Sequence, residues 1–491
     1  MVDSAAWRRQ DHGRYFQKGL MAMSAQKNSK TVRTVQDSKG AVYELRSELS
    51  RGGQGVVYHT QYPQVLVKGL ISKDEKLRQR WRQRLAWLVR QDLADLKIAR
   101  PLVLLAEPRC GYVMELMDGL VPLQSLLESY VAAGEDFLAD YQRQGGLRRR
   151  IRILCQLART LNQLHARGML YGDLSPSNIF VSDDPAYAET WLIDCDNISL
   201  EAHSSLTMYT ADYGAPEVVR GDGLLSSLTD AWSFAVIAYQ LLTHNHPFKG
   251  EQVSDGEPEE EDAALRGERP WICDGQDDAN ACFINLPIQL MEHSRLPALF
   301  ARCFEQGKVF PAERPGMAEW LEALSEVDER LIHCEECGAT TLVPLTVQTL
   351  DEQLCFFCDE PLDTSAVMFE EFIELVPEEE QSEQLTTPET HLATGRKVWL
   401  QPGQSVELKR LMPTFSYDLR PSDHIRIEYL DTGLGIYALP EAELTIQRGA
   451  TQKPLERNLL LKEIVRGQHA DPYQIHVGDV QKTHVFWQFS W

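Results

Sequence analysis

The sequence predicts an α+β protein that ends in an all-β unit, and three observations carry the prediction. Apolar residues recur at helical spacing over Ile151, Leu154, Leu157, Leu161 and Leu164, and more densely over Trp232, Ala235, Ile237, Ala238, Leu241 and Leu242. The first pattern suits a helix packed on a core, the second a helix buried within one. Two Cys-x-x-Cys pairs, Cys334/Cys337 and Cys355/Cys358, stand seventeen residues apart. Beyond them, short apolar runs alternate with Gly, Pro, Asp and Ser to the last residue, the pattern of strands joined by turns.

Composition sets outer limits. A chain of 491 residues, 43% of them hydrophobic, has room for about two to four domains. Lys and Arg number 49 against 72 Asp and Glu, a formal charge of −23. That balance argues against a nucleic-acid partner or an anionic membrane surface. Arg148-Arg149-Arg150 is the main local exception and reads as a solvated helix start. No apolar stretch follows Arg8-Arg9, so no secretory or twin-arginine signal is expected. The longest apolar runs, such as Ala231 to Tyr239, are too short to span a bilayer. Ten cysteines in this length do not suggest a disulfide scaffold. The expectation is a cytoplasmic protein.

The chemistry is concentrated in one stretch. In Tyr171-Gly172-Asp173-Leu174-Ser175-Pro176-Ser177-Asn178 an Asp precedes an Asn by five positions, and sixteen residues later the run Trp191-Leu192-Ile193 ends on Asp194. Any one of the three would pass for a polar loop residue. Their order and spacing suit a site for metal-bound ATP. Asp173 can accept a hydroxyl proton, while Asn178 and Asp194 can hold Mg²⁺ (or Mn²⁺) through the oxygen ligands a hard cation prefers.

Further motifs follow in order. Ser50-Arg51-Gly52-Gly53-Gln54-Gly55-Val56-Val57-Tyr58 is a glycine cluster, weak evidence alone. Ten residues past it the run Val65-Leu66-Val67 ends on Lys68, and Tyr112-Val113-Met114-Glu115-Leu116-Met117 forms another apolar strand. Downstream come Thr210-Ala211-Asp212-Tyr213-Gly214-Ala215-Pro216-Glu217, then Asp230-Ala231-Trp232-Ser233-Phe234, and last Ala312-Glu313-Arg314-Pro315. From about Val42 to Leu331 the series resembles a eukaryotic-like Ser/Thr protein kinase domain, which implies a bilobal protein-kinase fold. By that resemblance Gly52, Gly53 and Gly55 close over the phosphates, Val57 packs on the adenine and Lys68 pairs the α- and β-phosphates. Met114 is then the gatekeeper, and Glu115 and Met117 offer backbone groups to the adenine edge. Asp230 holds the catalytic loop, and Glu217 pairs with Arg314. The catalytic set is Asp173, Lys68, Asn178 and Asp194.

The departures from the family are equally definite. Tyr171-Gly172 replaces the usual His-Arg, so the cation that engages a phosphorylated activation segment is missing. Ser175 stands where a basic residue helps neutralise the transferring phosphate. Asp194-Cys195-Asp196 replaces Asp-Phe-Gly, and Leu66 replaces the small residue over the adenine. The helix from Asp74 to Arg90 should bring a Glu to Lys68, yet its one Glu, Glu75, is only seven residues from that lysine. These changes resemble a divergent bacterial branch with a Gly-Asp catalytic loop and an Asp-Cys-Asp metal motif. Members are often accompanied by zinc-binding segments and partner phosphatases. Cys195 reads as a gap-filler rather than a reactive thiol.

Cys334, Cys337, Cys355 and Cys358 have the spacing of a four-thiolate Zn²⁺ site, and Thr340–Val343 with Thr346-Val347 read as the short strands of a zinc ribbon. Four thiolates leave no open position, so the zinc is expected to be structural. Redox pairing is the alternative. Residues 359–390 carry many Asp and Glu with no Lys or Arg and read as an extended tether, with a short helix near Met368 to Val376 as an option. Strands are expected at 398–400, 406–408, 425–429, 436–438, 444–446, 473–477 and 485–487, in a small sandwich or barrel. The aromatic alternation Phe486-Trp487-Gln488-Phe489-Ser490-Trp491 reads as an inward-facing edge.

The expected organisation is an N-terminal extension (1–35), a kinase domain (36–330, with lobes at 36–117 and 118–330), a zinc ribbon (331–362), an acidic linker (363–394) and a β-rich domain (395–491). The expected function is transfer of the ATP γ-phosphate to a protein hydroxyl in a bacterial signalling or stress/defence system. Protein substrates, and a phosphatase or adaptor, are the partners the resemblance implies. Two other readings stay open. One is a nucleotide-binding pseudokinase scaffold, favoured by Ser175, Leu66 and the missing helix Glu; the other puts recognition in the ribbon and β-domain.

Overall fold

The computed structural model describes residues 33–52, 55–133, 137–201, 209–282, 285–376, 391–409, 424–440 and 442–491. Gly53 and most of the N-terminal extension lie outside the described residues.

The first lobe is built on a five-stranded antiparallel sheet in the order Glu48–Arg51, Gly55–His59, Val65–Leu70, Gly111–Glu115, Val103–Leu104. Its faces follow the strand period of two. Val67, Val103 and Val113 form a small apolar cluster with Val35 on one side. Lys68 and Leu66 occupy the alternate positions, opposite Tyr112 and Met114. Helix Glu75–Leu88 covers this lobe through Trp81, Leu85 and Leu88, and Asp74 caps it by accepting from the amides of Lys76 and Leu77.

The second lobe is helical. Ser227–Thr243 starts on a reciprocal Ser226/Thr229 capping box. It is buried on nearly every side, which explains a sequence too apolar to show a polar face. Gly146–His165 packs against it and against Met317–Arg330. The arginine triplet corrects an expectation. Arg149 and Arg150 are buried rather than solvated, because their guanidiniums end on carbonyl oxygens: Tyr187, Gln144 and Ser182 for Arg149, Tyr141 and Gly146 for Arg150. Among the described residues no helix is long and apolar enough to cross a membrane.

After this lobe, Leu331–His333 pairs with Thr340–Leu342 between the two cysteine knuckles. Thr346-Val347, expected as a strand, is instead a turn in which the Val347 amide donates to the Pro344 carbonyl. The expected acidic linker is also corrected at its start. Val367–Glu374 is neither tether nor helix but an eight-residue strand between His391–Leu400 and His484–Phe489. Val367 and Phe369 point into the core, and the acidic Glu371 is accommodated because Arg396 and Thr394 donate to its carboxylate.

The C-terminal strands form two antiparallel sheets. The six-stranded sheet runs His391–Leu400, Val367–Glu374, His484–Phe489, Tyr473–Val477, Leu444–Arg448, Thr451–Pro454. The four-stranded one runs Ser405–Lys409, His424–Leu430, Gly433–Ala438, Asn458–Lys462. Both contribute to one apolar core that includes Phe369, Ile427, Ile436, Ile475, Trp487, Phe489 and Trp491. This unit is fastened to what precedes it. Trp399 completes the core beneath the cysteine knuckles, Gln401 exchanges two hydrogen bonds with the His333 backbone, and buried Arg396 forks onto Glu329 of helix Met317–Arg330.

Candidate active site and thiolate cluster

Asp230, at the start of the buried helix, organises the loop that carries Asp173. Its two carboxylate oxygens accept from the amides of Tyr171 (2.7 Å) and Gly172 (2.9 Å), and one is also 3.0 Å from His165 Nε2. Gly172 has φ +85°, and a Cβ there would meet Leu170 at 3.1 Å. A left-handed backbone in close quarters is a physical reason for glycine at this position. The Tyr171 hydroxyl donates to the Ile193 carbonyl, which ties this loop to the strand ending at Asp194.

Asn178 and Asp194 lie at adjacent ends of the hairpin Ile179–Ser182/Thr190–Leu192, where the Ile193 amide donates to the Asn178 carbonyl. Asn178 Nδ2 donates to the backbone oxygen of Asp173 (2.9 Å) and more weakly to its carboxylate (3.3 Å). That leaves the amide oxygen for another partner. The other Asp173 oxygen accepts from Thr210 Oγ1 at 2.7 Å. Burial raises the Asp173 carboxyl, against the opposing effect of the Thr210 bond.

Lys68 reaches this group from the first lobe. Its ammonium donates to Asp194 and forms an ion pair with Asp196 at 2.7 Å, though the Asp196 contact is poorly directed as a hydrogen bond. Burial alone would lower the ammonium; the carboxylates of Asp196 and Asp194 more than offset it and raise it. Burial likewise raises the Asp196 carboxyl while Lys68 opposes the change. Asp194 remains 40% exposed, whereas Asp196 is 2% exposed. Asp194 therefore opens to the cleft and Asp196 stands behind it.

Asp196 is the residue the sequence reading missed. The expected helix carboxylate does not arrive: Glu75 sits at the helix start, 89% exposed beside Arg78. The helix sends Arg84 inward instead, and its guanidinium donates to the backbone oxygen of Asp196 (3.3 Å). The signal was present as the second Asp of Asp194-Cys195-Asp196. Cys195 is fully buried, and burial pushes its thiol up, which suits a gap-filler.

The remaining expected residues are placed as follows. Gly55 lies against the lysine, where a Cβ would come within 3.1 Å of Lys68 Cε. Val57 is across the sheet from Lys68, and Gly52 borders the undescribed pair 53–54. Glu115 ends its strand and Met117 follows it. Leu66, 3% exposed, shares the Lys68 face. Arg314 is fully buried and grips Glu217 with two bonds of 2.8 and 2.7 Å.

The four cysteines converge. All four sulfurs lie within 4.8 Å of one another. The spacings across the knuckles are 3.7 Å for Cys334–Cys358 and 3.6 Å for Cys337–Cys355. A tetrahedron with Zn–S bonds of ~2.3 Å has S–S edges of ~3.8 Å, so the set fits that ion. A disulfide needs ~2.05 Å, and the short pairs here run between the motifs.

Comparison with known proteins gives a family match over part of the chain. Residues 102–284 match the family model described as a protein kinase domain. The chain is 29% identical over 197 residues to human ribosomal protein S6 kinase alpha-2, covering 38% of this chain and 25% of the relative. It is 30% identical over 154 residues to serine/threonine-protein kinase Pkn1 of Myxococcus xanthus, covering 30% and 20%. To serine/threonine-protein kinase PknE of Mycobacterium bovis it is 28% identical over 228 residues, covering 43% and 36%. The chain thus spans about a third or less of the length of these relatives. Similarity to a protein kinase domain covers residues 102–284 of this chain.

Proposed function

We propose that the chain is an ATP- and Mg²⁺-dependent protein serine/threonine kinase acting in bacterial signalling. The observation that carries the reading is the meeting of Lys68, Asp194, Asn178 and Asp173 at one cleft, with Thr210 on the acceptor side. In this reading Lys68 positions the α- and β-phosphates, and the turn at Gly52 and Gly55 covers them. Asn178 and Asp194 would hold Mg²⁺, which supplies charge neutralisation on the phosphates. Asp173 orients the substrate hydroxyl and takes its proton as the new O–P bond forms and ADP leaves. The adenine sits between Val57 and the backbone of Glu115 and Met117. Cys334, Cys337, Cys355 and Cys358 hold a structural Zn²⁺, supported by their tetrahedral spacing. The substrate is a protein hydroxyl, and the site of action is the cytoplasm.

A second reading, a nucleotide-binding pseudokinase scaffold, draws on one observation: buried Leu66 lies on the Lys68 face. Labelled ATP separates the two. The full chain should incorporate phosphate into itself or a general protein acceptor, and Asp194→Asn should abolish it. Equal incorporation by both proteins would remove the kinase reading.

A further inference from the structure

Among the described residues, one other set of ligand-type side chains converges outside the proposed cleft and the cysteine knuckles. Glu374, His476 and His484 come from three adjacent strands of the six-stranded sheet. Glu374 is the cross-strand partner of His484, and His476 is opposite Phe486, two positions along from His484. The strand period of two therefore puts all three side chains on one face. It is the face away from the shared core, since Ile475, Val477 and Trp487 occupy the alternate positions and belong to that core.

The donor atoms meet closely. His476 Nδ1 and His484 Nε2 are 2.8 Å apart, and Glu374 Oε2 is 3.7 Å from each. Both imidazoles are buried, while Glu374 is partly exposed and gives the group an opening to solvent. His484 is also held from behind: its Nδ1 lies 2.8 Å from the Lys482 carbonyl. A carbonyl accepts only from N–H, so that contact puts a hydrogen on Nδ1, and Nε2 is the nitrogen that faces Glu374 and His476. Metal-binding histidines are characteristically fixed in this way. One proton on His476 Nδ1 could bridge the two rings, but it leaves the carboxylate without a donor inside the group. A shared cation would satisfy all three once the two nitrogens part from 2.8 Å to the ~3.3 Å edge of a tetrahedral site.

We infer that Glu374, His476 and His484 form a second metal site, distinct from the four thiolates, for a divalent transition ion of the Zn²⁺ class. Two imidazoles and one carboxylate suit Zn²⁺, Co²⁺ or Ni²⁺ and disfavour Mg²⁺ and Ca²⁺, which take oxygen sets. Three protein ligands leave a fourth position to water or to His391, which is opposite Glu374 on the next strand. The ion would clamp Val367–Glu374, Tyr473–Val477 and His484–Phe489 together on the outer face of the sheet.

The test uses the full chain, stripped with chelator and titrated with Co²⁺, and then with Zn²⁺ followed by metal analysis. The wild type should take up about two equivalents, one giving the intense thiolate-to-cobalt absorption and one giving only weak visible bands. His476→Gln should retain the thiolate absorption and lose the second equivalent. A wild type that binds one equivalent, wholly through thiolate, overturns the inference, as does a His476→Gln protein that still binds two. Should His476→Gln misfold and lose both, Glu374→Gln at the partly exposed position decides. It should keep the thiolate signal and weaken the second ion at least ~10-fold, and an unchanged second affinity overturns the site.

Discussion

Asp196→Asn is the sharpest perturbation of the proposed site, because it changes charge while nearly preserving shape. Among the described residues Lys68 has two carboxylate partners, Asp194 and Asp196, while Glu75 of the helix is turned to solvent. In the proposed reading Asp194 would turn to the metal, which would leave Asp196 as the lysine's other carboxylate partner. A hydrogen bond or ion pair to a charged group contributes a net ~1.5–3 kcal/mol. The contact here is short at 2.7 Å but imperfectly directed, which argues for the middle of that range, about 2 kcal/mol. At ~1.4 kcal/mol per factor of ten, kcat/KM for ATP should fall ~30-fold. The assay is phosphate transfer from labelled ATP at subsaturating nucleotide, with thermal melting in parallel to confirm folding. Glu75→Gln is the matched control, since that side chain is 89% exposed and remote from the lysine, and it should leave kcat/KM unchanged. Activity of Asp196→Asn within about threefold of wild type, in a folded protein, would refute the argument. So would an equal loss in Glu75→Gln.

Asp173→Asn should abolish transfer yet leave the protein as stable or more stable at neutral pH. Burial raises the Asp173 carboxyl, so its contribution favours the fold below the ordinary value of ~3.9 and is lost as pH rises through the raised folded value; melting from pH 4 to 8 reads this. In the wild type, the acid limb of kcat should accordingly lie above ~3.9. Leu66→Ala should cost ~2–5 kcal/mol in stability and lower the KM for ATP if Leu66 crowds the adenine, whereas an unchanged KM places it elsewhere. Cys355→Ser should release about one Zn²⁺ and, because Trp399 lies in the core under that knuckle, open the junction before the β unit to limited proteolysis.

Legibility varied with the range of the contact that decides each feature. Helices Gly146–His165 and Ser227–Thr243 were readable because their apolar spacing is local and dense. The cysteine knuckles were readable because ligand spacing within a short segment nearly dictates the geometry. The strand Val367–Glu374 was hidden by its acidic residues. Glu371 is tolerated inside only through Arg396 and Thr394, more than twenty residues away in sequence. The arginine triplet misled partly for the same reason: Arg149 reaches the Ser182 and Tyr187 carbonyls, more than thirty residues away, while Arg150 ends on the nearer Tyr141 and Gly146 carbonyls. The Asp-Cys-Asp motif was visible as a departure, but its consequence needed the distance from Lys68, 128 residues earlier than Asp196.

That distance links the departures from the family pattern. A lysine whose carboxylate partner rides on a mobile helix can be switched by moving the helix. Here both partners of Lys68 come from the single turn Asp194-Cys195-Asp196, which is anchored by the buried Cys195 thiol donating to the Ala99 carbonyl. The helix contributes Arg84 to a backbone oxygen of the same turn, so its contact braces the turn rather than completing the ion pair. The loss of the arginine ahead of Asp173 fits that arrangement, since Gly172 has no side chain with which to read a phosphate on the activation segment. In the proposed reading, neither a helix carboxylate nor a cation ahead of Asp173 takes part, and the acidic partners of Lys68 both come from the turn that would hold the metal.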